Sequence, residues 1–506
     1  MWLLMSACSI AFIAYFLKIK LILRFSPISF LQFRSFFSDF SIVNKLFFYI
    51  FIFLILILLI ISPFNFPHTD TYHWEMPKYW LQHNTIKPFE VLNFSIIRFS
   101  FLQETQYISF FAFLKVPELT YIFSLITFTL TPFIIARIAL SVGFSYQSGL
   151  FAGFILCSFT VLIRAVYDGA NDYTTAFWVL ASLFFALHAL NKIQKNLDFR
   201  YLLLSVLAFS VAAGIKNSTM ILLPVYILFL IFIFRTSFFS KKVISILFFS
   251  FVLGFILSGV LWIYISNYLW YGDIRGFDQN YQTILGILNF ESIKGRIIRG
   301  LLYMISDFGY LSKECNTFLL KIHFMVYDLF NVPLKLPNEA GYYSFNSEQI
   351  LQRNAFGIAG TVLIIPTMIV LTLKILFDPK SELYHNAFAS LLLSISILIF
   401  VLYHALLNWQ PMGLFRLTFV FILVFAPLFG ILYYKQSVQI ISLVVATLNI
   451  LLISFVLLFI SIPTENIARH SIFNQLNALR LNTDSVVLFH YTQTGKKKPV
   501  PSKRFR

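Results

Sequence analysis

Charged side chains are scarce in this 506-residue sequence, at 12% of all residues against 59% hydrophobic residues. Soluble domains carry about 25% charged residues, so a water-solvated core does not account for this balance. The three cysteines, Cys8, Cys157 and Cys315, indicate neither an intrachain disulfide framework nor a multi-cysteine metal site. Walker, GxGxxG, HExxH and nucleophile-elbow motifs are missing as well. The sequence therefore offers no soluble nucleotide-binding domain.

Long apolar runs are what the sequence has instead. About 20 helical residues cross the ~30 Å hydrocarbon layer, and helix is expected there because lipid offers the backbone no hydrogen-bond partner. We predict an all-α integral membrane protein with about twelve transmembrane helices in a domain over residues 1–462. The predicted spans are 2–17, 46–62, 119–140, 149–166, 173–190, 201–214, 218–234, 243–265, 355–373, 386–405, 417–434 and 438–462.

The distribution of cations predicts the orientation. The net charge of +17 comes mainly from Lys and Arg in alternate connections between the spans, which suits the cytoplasmic side better than nucleic-acid binding. The first outer loop (63–118), the turn at 168–172, Lys216, the long loop 266–354 and residues 408–416 then share the outer face. The tail 463–506 falls there too, despite its basic end.

The two long outer segments are expected to be structured. Loops of this length are usually functional or disordered, and the aromatic content favours the first. We predict an interfacial helix in 63–118, a cap over the membrane bundle from 266–354, and one short strand at 485–490 in the tail.

The first outer loop has the densest cluster of reactive side chains. Two carboxylates, two histidines and four aromatic rings occur in thirteen residues, His68-Thr-Asp70-Thr-Tyr72-His73-Trp74-Glu75-Met76-Pro77-Lys78-Tyr79-Trp80. A partly desolvated carboxylate there could act as a general base toward a hydroxyl. The alternative is an aromatic belt with solvated acids beside it.

Three further polar segments converge on the same predicted face. The turn at 167–173 contains Asp168 and Asp172, the bend at 214–219 contains Lys216, and the stretch 409–416 contains Trp409, Gln410 and Arg416. Lysine and arginine suit phosphate oxygens, so the set indicates a carboxylate base with phosphate-binding cations. Singly, the acids could cap a helix, Lys216 could snorkel, and Arg416 could be a boundary cation. His188, His385 and His404 stand alone and are expected to pack rather than bind metal.

With these residues in view, the chain resembles the GT-C superfamily of polytopic glycosyltransferases, particularly the bacterial protein-mannosyltransferase and aminoarabinose-transferase related members. The resemblance rests on four motifs in order, namely Asp70 with Tyr72-His73, Pro77-Lys78 and Trp80; Asp168 with Asp172; Gly-x-Lys-x-Ser-Thr from 214; and Trp-Gln-Pro-x-x-x-x-Arg from 409.

The resemblance implies an inverting transferase of a bacterial plasma membrane with an extracytoplasmic site. The donor would be a sugar on a polyprenyl phosphate, and the acceptor a glycolipid, polysaccharide or protein. Asp70 would be the base with Glu75 in reserve, and Lys216 and Arg416 would neutralise the departing lipid phosphate. The other site residues would contact substrate: Tyr72, His73, Lys78, Asp168, Asp172, Trp409 and Gln410. Some members use a divalent metal ion near the loop acid, and the sequence leaves that open.

Other functional classes remain open at this stage. A transporter or flippase of lipid-linked saccharides could use the same cations for binding alone. Broken helices or repeat symmetry would favour it, and the sequence shows neither. A polymerase or ligase of lipid-linked saccharides would be expected to use an Arg or His of a large outer loop. A non-catalytic scaffold is the third alternative, but it leaves the clustered acids and cations of the predicted outer face unexplained.

Overall fold

The structure is a computed structural model. It describes residues 40–62, 77, 80–81, 102–109, 117–167, 169, 171–193, 199–234, 238–272, 274, 290–305, 313–332, 359–360, 362–363, 366–367, 369–371, 373, 387–406, 419–459, 463–464 and 467–468. The predicted span 2–17 and the predicted strand at 485–490 lie outside this part of the chain, and the span 355–373 lies partly outside it.

Helices make up nearly all of the described structure. They are α1 Ile42–Ile61, α2 Leu102–Ser109, α3 Ile122–Ser141, α4 Tyr146–Cys157, α5 Thr160–Tyr167, α6 Asn171–Ile193, α7 Phe199–Ile215, α8 Leu223–Phe234, α9 Lys241–Leu257, α10 Val260–Tyr271, α11 Phe290–Ile305, α12 Lys313–Leu329, α13 Ala387–Leu406, α14 Phe419–Phe425 and α15 Gln436–Phe459. 3₁₀ turns Pro117–Tyr121 and Asn217–Leu222 lead into α3 and α8, and Ala426–Tyr434 continues α14. Two short strands, β1 Pro463–Thr464 and β2 Ile467–Ala468, pair antiparallel.

The protein is a multi-pass membrane protein. Within the described residues, five helices are long and apolar enough to cross a membrane, and the number reaches seven if each of two bent pairs is one span. They coincide with spans expected from the sequence, whereas the full count of twelve stays a prediction. Large apolar side chains face outward on them, including Ile60 at 66% exposure and Phe249 at 68%, as lipid contact requires.

Two of the expected spans are bent, which corrects the expectation of unbroken helices. The span placed at 149–166 is the pair α4 and α5, with an angle of 67° between them. The span placed at 243–265 is the pair α9 and α10, bent by 65°. A break frees backbone carbonyls inside the membrane, and in the first pair Asn449 of α15 satisfies one by donating to the Ser158 carbonyl at 2.6 Å. Apolar composition alone does not reveal such bends.

Serine caps start three of the helices at one end of the bundle. Ser41, Ser145 and Ser240 precede α1, α4 and α9, and each side chain accepts a hydrogen bond from the backbone N–H three residues later. A serine in this position satisfies one of the orphan N–H groups of a helix start. The caps therefore mark where the chain re-enters the bundle from the predicted cytoplasmic side.

Small residues bring neighbouring helices close together. In α4, Gly149 and Gly153 form a Gly-x-x-x-Gly face against α3, where an added Cβ would lie 2.6 Å from Ala136 Cα and 2.5 Å from Pro132 Cα. Since helices in lipid associate through tight packing rather than water exclusion, such faces set which helices become neighbours.

A second close approach joins α7 to α9. Ser210 lies opposite Gly254, and Gly214 lies opposite Ser258, so the two helices run parallel. A Cβ added at Gly214 would lie 2.7 Å from Ser258 Cβ and closer still to the Ser258 carbonyl oxygen. This contact places the end of α7 directly against the bend between α9 and α10.

The segment after α10 contacts the bundle through α11, whereas the cap expected from 266–354 stays a prediction. Arg296 of α11 is 2% exposed. Its Nε donates to the His404 carbonyl at 2.9 Å, and its Nη2 donates to the Ala405 carbonyl at 2.7 Å. These carbonyls belong to the last turn of α13, where intrahelical partners run out and a cation is favoured.

Candidate functional site

The structure describes two of the eleven side chains proposed for the site, Asp172 and Lys216, and it brings them together. The other nine lie outside the described residues: Asp70, Tyr72, His73, Glu75, Lys78, Asp168, Trp409, Gln410 and Arg416. From the first-loop run, Trp80 is described and is 2% exposed, so this ring packs within the protein rather than facing lipid.

Asp172 and Lys216 form an ion pair between Oδ1 and Nζ. They are 44 positions apart in the sequence and belong to different predicted motifs. The carboxylate side chain is 1% exposed and the lysine side chain 23% exposed. Two motifs that the sequence could only place on one face are therefore in contact, with the cation on the accessible side of the pair.

The lysine stands at a break in the chain. Helix α7 ends at Ile215, and Lys216 adopts an extended backbone with φ −146° and ψ 113°. The 3₁₀ turn Asn217–Leu222 follows, and its Thr219 is fully buried and donates to the Ala212 carbonyl at 3.4 Å. Gly214 is held against Ser258, and Thr219 is bonded to the Ala212 carbonyl. These two contacts fix the backbone on either side of Lys216.

The aspartate stands at the start of a helix. Asp172 lies in the first turn of α6, where the exposed N–H groups favour a negative charge. Asp172 therefore lies at a helix start, as one of the alternatives from the sequence expects. That alternative does not account for its ion pair with Lys216. The preceding Asn171 is 5% exposed, and its Oδ1 has no hydrogen-bond partner in the described part of the chain. A buried acceptor of this kind suits a donor group from a ligand.

A helix of the first outer loop reaches the acidic turn. Tyr107 of α2 donates from Oη to the Gly169 carbonyl at 3.1 Å, and Gln103 Nε2 donates to the same Oη. Gly169 has φ +62°, a left-handed conformation that glycine adopts without strain. Helix α2 also packs against α7, which ends at Ile215, directly before Lys216. The first loop, the acidic turn and the lysine bend therefore meet at one end of the bundle, which we call the site end.

Two charged residues of the site end were missed by the sequence analysis. Glu104 of α2 is fully buried, and Arg164 of α5, four positions before Asp168, is 3% exposed. Buried ionisable groups are costly in a membrane protein and usually functional. A signal was present in the sequence, since Glu104 and Arg164 each stand alone among mainly apolar or neutral neighbours.

Burial controls the ionisation of the Tyr107 phenol. Desolvation, and next the nearby Glu104 carboxylate, raise the pKa of Tyr107, while the hydrogen bond from Gln103 lowers it. Tyr107 is therefore a neutral phenol at any physiological pH, and its proton is available to the Gly169 carbonyl.

Histidines and acids of the described residues do not assemble into a metal cluster. Groups of three or more His, Cys, Asp or Glu side chains are absent from the ranges that the structure describes, which do not include Asp70 or Glu75. His188 packs against Tyr201 with ring centroids 4.5 Å apart, and His404 packs against Phe400 at 4.1 Å. These two histidines pack as expected, and metal dependence stays open.

Comparisons with known proteins give one structural likeness. The sequence matches no family model and no curated protein. The crystal structure of ArnT from Cupriavidus metallidurans bound to undecaprenyl phosphate is similar at 11% identity with a TM-score of 0.45. The match covers 77% of this chain and 62% of that chain, so this chain spans less than two thirds of the length of that protein. A likeness this distant does not decide family or activity.

Proposed function

We propose that this protein is a membrane glycosyltransferase of the GT-C type that moves a sugar from a polyprenyl-phosphate donor to an extracytoplasmic acceptor. The observation that carries the proposal is the ion pair between Asp172 and Lys216. It joins two of the four motifs on which the resemblance rests, at the end of an apolar bundle where a lipid-borne phosphate could arrive. The hydrogen bond from Tyr107 to the Gly169 carbonyl brings α2 of the first outer loop to the same end of the bundle.

The proposed reaction is a single displacement. The acceptor oxygen or nitrogen attacks the anomeric carbon, the bond from that carbon to the phosphate oxygen breaks, and the configuration inverts. Asp70, or Glu75 in its place, takes the acceptor proton, and the electron pair leaves with the polyprenyl phosphate. Lys216 and Arg416 stabilise the charge that grows on the leaving phosphate, which fixed cations in a water-poor site do well.

Asp172 has a different role in this scheme from the one expected of a substrate contact. A carboxylate would repel an incoming phosphate, but its pairing with Lys216 makes the two side chains neutral together. Because Asp172 is buried and Lys216 is partly exposed, we assign to Asp172 the orientation of the lysine toward the accessible side. Tyr72, His73, Lys78, Asp168, Trp409 and Gln410 stay proposed substrate contacts.

A transporter of lipid-linked saccharides is the second candidate, and the two bent helix pairs favour it. Both bends are well packed in the described structure. Asn449 holds the first through Ser158, and Gly214 lies against Ser258 at the second. The two candidates differ in their product, since a transferase releases free polyprenyl phosphate and a flippase returns the donor intact.

The test uses membranes that contain the full-length protein, donor lipids extracted from the source strain, and a strain with the gene deleted. Wild-type protein should restore the missing glycan or glycolipid and release polyprenyl phosphate, both detected by mass spectrometry. Lys216→Met should lower the rate about 100-fold or more, the usual cost of a lost transition-state cation or donor. Asp70→Asn should abolish transfer in a protein that is still inserted.

Lys242→Met is the matched control, because Lys242 Nζ lies 4.3 Å from the Phe199 ring centroid at the opposite end of the bundle. Its rate should stay within about twofold of wild type. Movement of intact donor across the bilayer of vesicles that contain only the purified protein, without release of polyprenyl phosphate, would favour the transporter instead. Full activity in Lys216→Met would remove the proposed mechanism.

A further inference from the structure

A hydrogen bond from Tyr107 to the Gly169 carbonyl links the first outer loop directly to the acidic turn. Tyr107 is 2% exposed and its ring packs against Phe123, with centroids 6.1 Å apart. A buried phenol fixed by its ring and by its hydroxyl has little freedom to move. The carbonyl that it holds lies three positions before Asp172.

The direction of this hydrogen-bond network follows from its chemistry. The Gly169 carbonyl can only accept, so the phenol proton points to it, and the phenol oxygen must then accept from Gln103 Nε2. Gln103 is fully buried and lies one helical turn before Tyr107, so α2 supplies both the donor and the group that orients it. Both side chains of this hydrogen-bond network therefore lie on one short helix, α2.

The turn transmits this constraint to the ion pair. Gly169 lies at the tip of the turn in a left-handed conformation, and α6 begins two residues later at Asn171. Asp172 is in the first turn of that helix and reaches Lys216, whose own backbone is fixed by the close approach of Gly214 to Ser258. The backbone of Lys216 is therefore fixed beside Gly214, and the Gly169 carbonyl that Tyr107 holds lies in the turn that leads into Asp172.

We propose that Tyr107 is a positioning residue, whose hydrogen bond to Gly169 couples the first outer loop to the turn before Asp172 and so keeps Asp172 paired with Lys216. The significance of the pair for phosphate binding rests on the proposed function. The coupling itself does not, and it predicts that a first-loop change will alter the exposure of Lys216 without touching either member of the pair.

The first experiment measures the pair directly. Full-length protein in nanodiscs is treated briefly with acetic anhydride, and acetylation of Lys216 is followed by mass spectrometry. Asp172→Asn sets the rate for a lysine released from its carboxylate. Tyr107→Phe should raise the acetylation rate about three- to tenfold toward that value, because the variant lacks one buried hydrogen bond that holds the turn.

Tyr121→Phe is the matched control. Tyr121 also lies beside Gly169, but its Oη donates to the Leu59 carbonyl at 3.1 Å. The control therefore removes a phenol-to-carbonyl bond of equal length beside the turn, and this bond is not made to the turn itself. Equal acetylation rates in Tyr107→Phe and Tyr121→Phe would overturn the proposal. If Tyr107→Phe does not fold, Gln103→Leu removes the orienting partner and should give a smaller increase in the same direction.

The second experiment tests whether the hydrogen bond from Tyr107 to Gly169 affects lipid binding. Binding of undecaprenyl phosphate to the purified protein is measured for Tyr107→Phe, Lys216→Met and the double variant. Coupled residues give non-additive effects, so Tyr107→Phe should weaken binding by about three- to tenfold alone and have little further effect beside Lys216→Met. Additive effects would contradict the coupling. If wild-type protein neither binds this lipid nor transfers sugar, the proposed function fails, whereas the acetylation rates still decide the role of Tyr107.

Discussion

The two ends of the bundle are built differently. At the end opposite the site, helices start on the serine caps Ser41, Ser145 and Ser240, and cations lie over aromatic rings, as Arg137 does over Tyr146 at 5.3 Å. At the site end, helices bend, a carboxylate is buried against a lysine, and a loop helix is tied to a turn. Helix caps, cation–ring contacts and a neutral hydrogen bond from Asn44 to Gln147 close one end, while a buried ion pair and a buried phenol join distant segments at the other.

This difference separates stability from function. A serine cap or a cation over a ring involves few residues and leaves no buried charge when it is lost. The site end depends on Asp172, Tyr107 and Gly214, which join four segments of the chain, so disturbing any one of them should move the others. Substitutions at the site end should therefore change activity as well as stability, whereas substitutions at the opposite end should change stability alone.

The largest stability effect is expected where the site end is packed most tightly. Gly214→Ala would drive a Cβ into the Ser258 carbonyl, so backbone must move, at a cost of about 1–3 kcal/mol. Gly254→Ala instead meets the Ser210 side chain. SDS-induced unfolding should show that Ser210→Gly rescues Gly254→Ala, whereas Ser258→Gly leaves Gly214→Ala unrescued. Equal rescue at both positions would mean that side chains, not backbone, set the approach beneath Lys216.

A smaller loss is expected at the bend between α4 and α5. Asn449→Leu removes the donor to the Ser158 carbonyl, and hydrogen bonds between helices in a membrane are worth about 0.6 to 2 kcal/mol. Thr447→Val is the matched control two positions away, because Thr447 donates to the Leu443 carbonyl of its own helix at 2.7 Å. Unfolding in SDS should separate the two variants. A Thr447→Val loss as large as that of Asn449→Leu would show that the bend does not depend on Asn449.

The sequence predicted the transmembrane segments better than the site. Apolar length alone located most of the described helices, such as Asn171–Ile193 where residues 173–190 were expected, because lipid leaves the backbone few alternatives. It did not reveal the breaks near Ser158 and Ser258, since the few small or hydroxyl residues at each bend leave the run apolar enough to be taken as one span. Placing Asp172 and Lys216 on one face followed from the predicted topology, but their contact depends on packing between α6 and α7. Tyr107 belongs to none of the predicted motifs, and only its hydrogen bond to the Gly169 carbonyl indicates a role for it.

The smallest effect is expected at the opposite end, where it completes the comparison. Ser145→Ala removes the side chain that accepts from the Ser148 N–H at 3.1 Å, and losing such a cap costs about 0.5–2 kcal/mol. SDS-induced unfolding should show this loss, while sugar transfer per folded molecule stays within about twofold of wild type, because Ser145 lies at the end of the bundle away from Asp172 and Lys216. A large loss of transfer in Ser145→Ala with normal folding would show that the two ends are coupled, and the separation of stability from function would not hold.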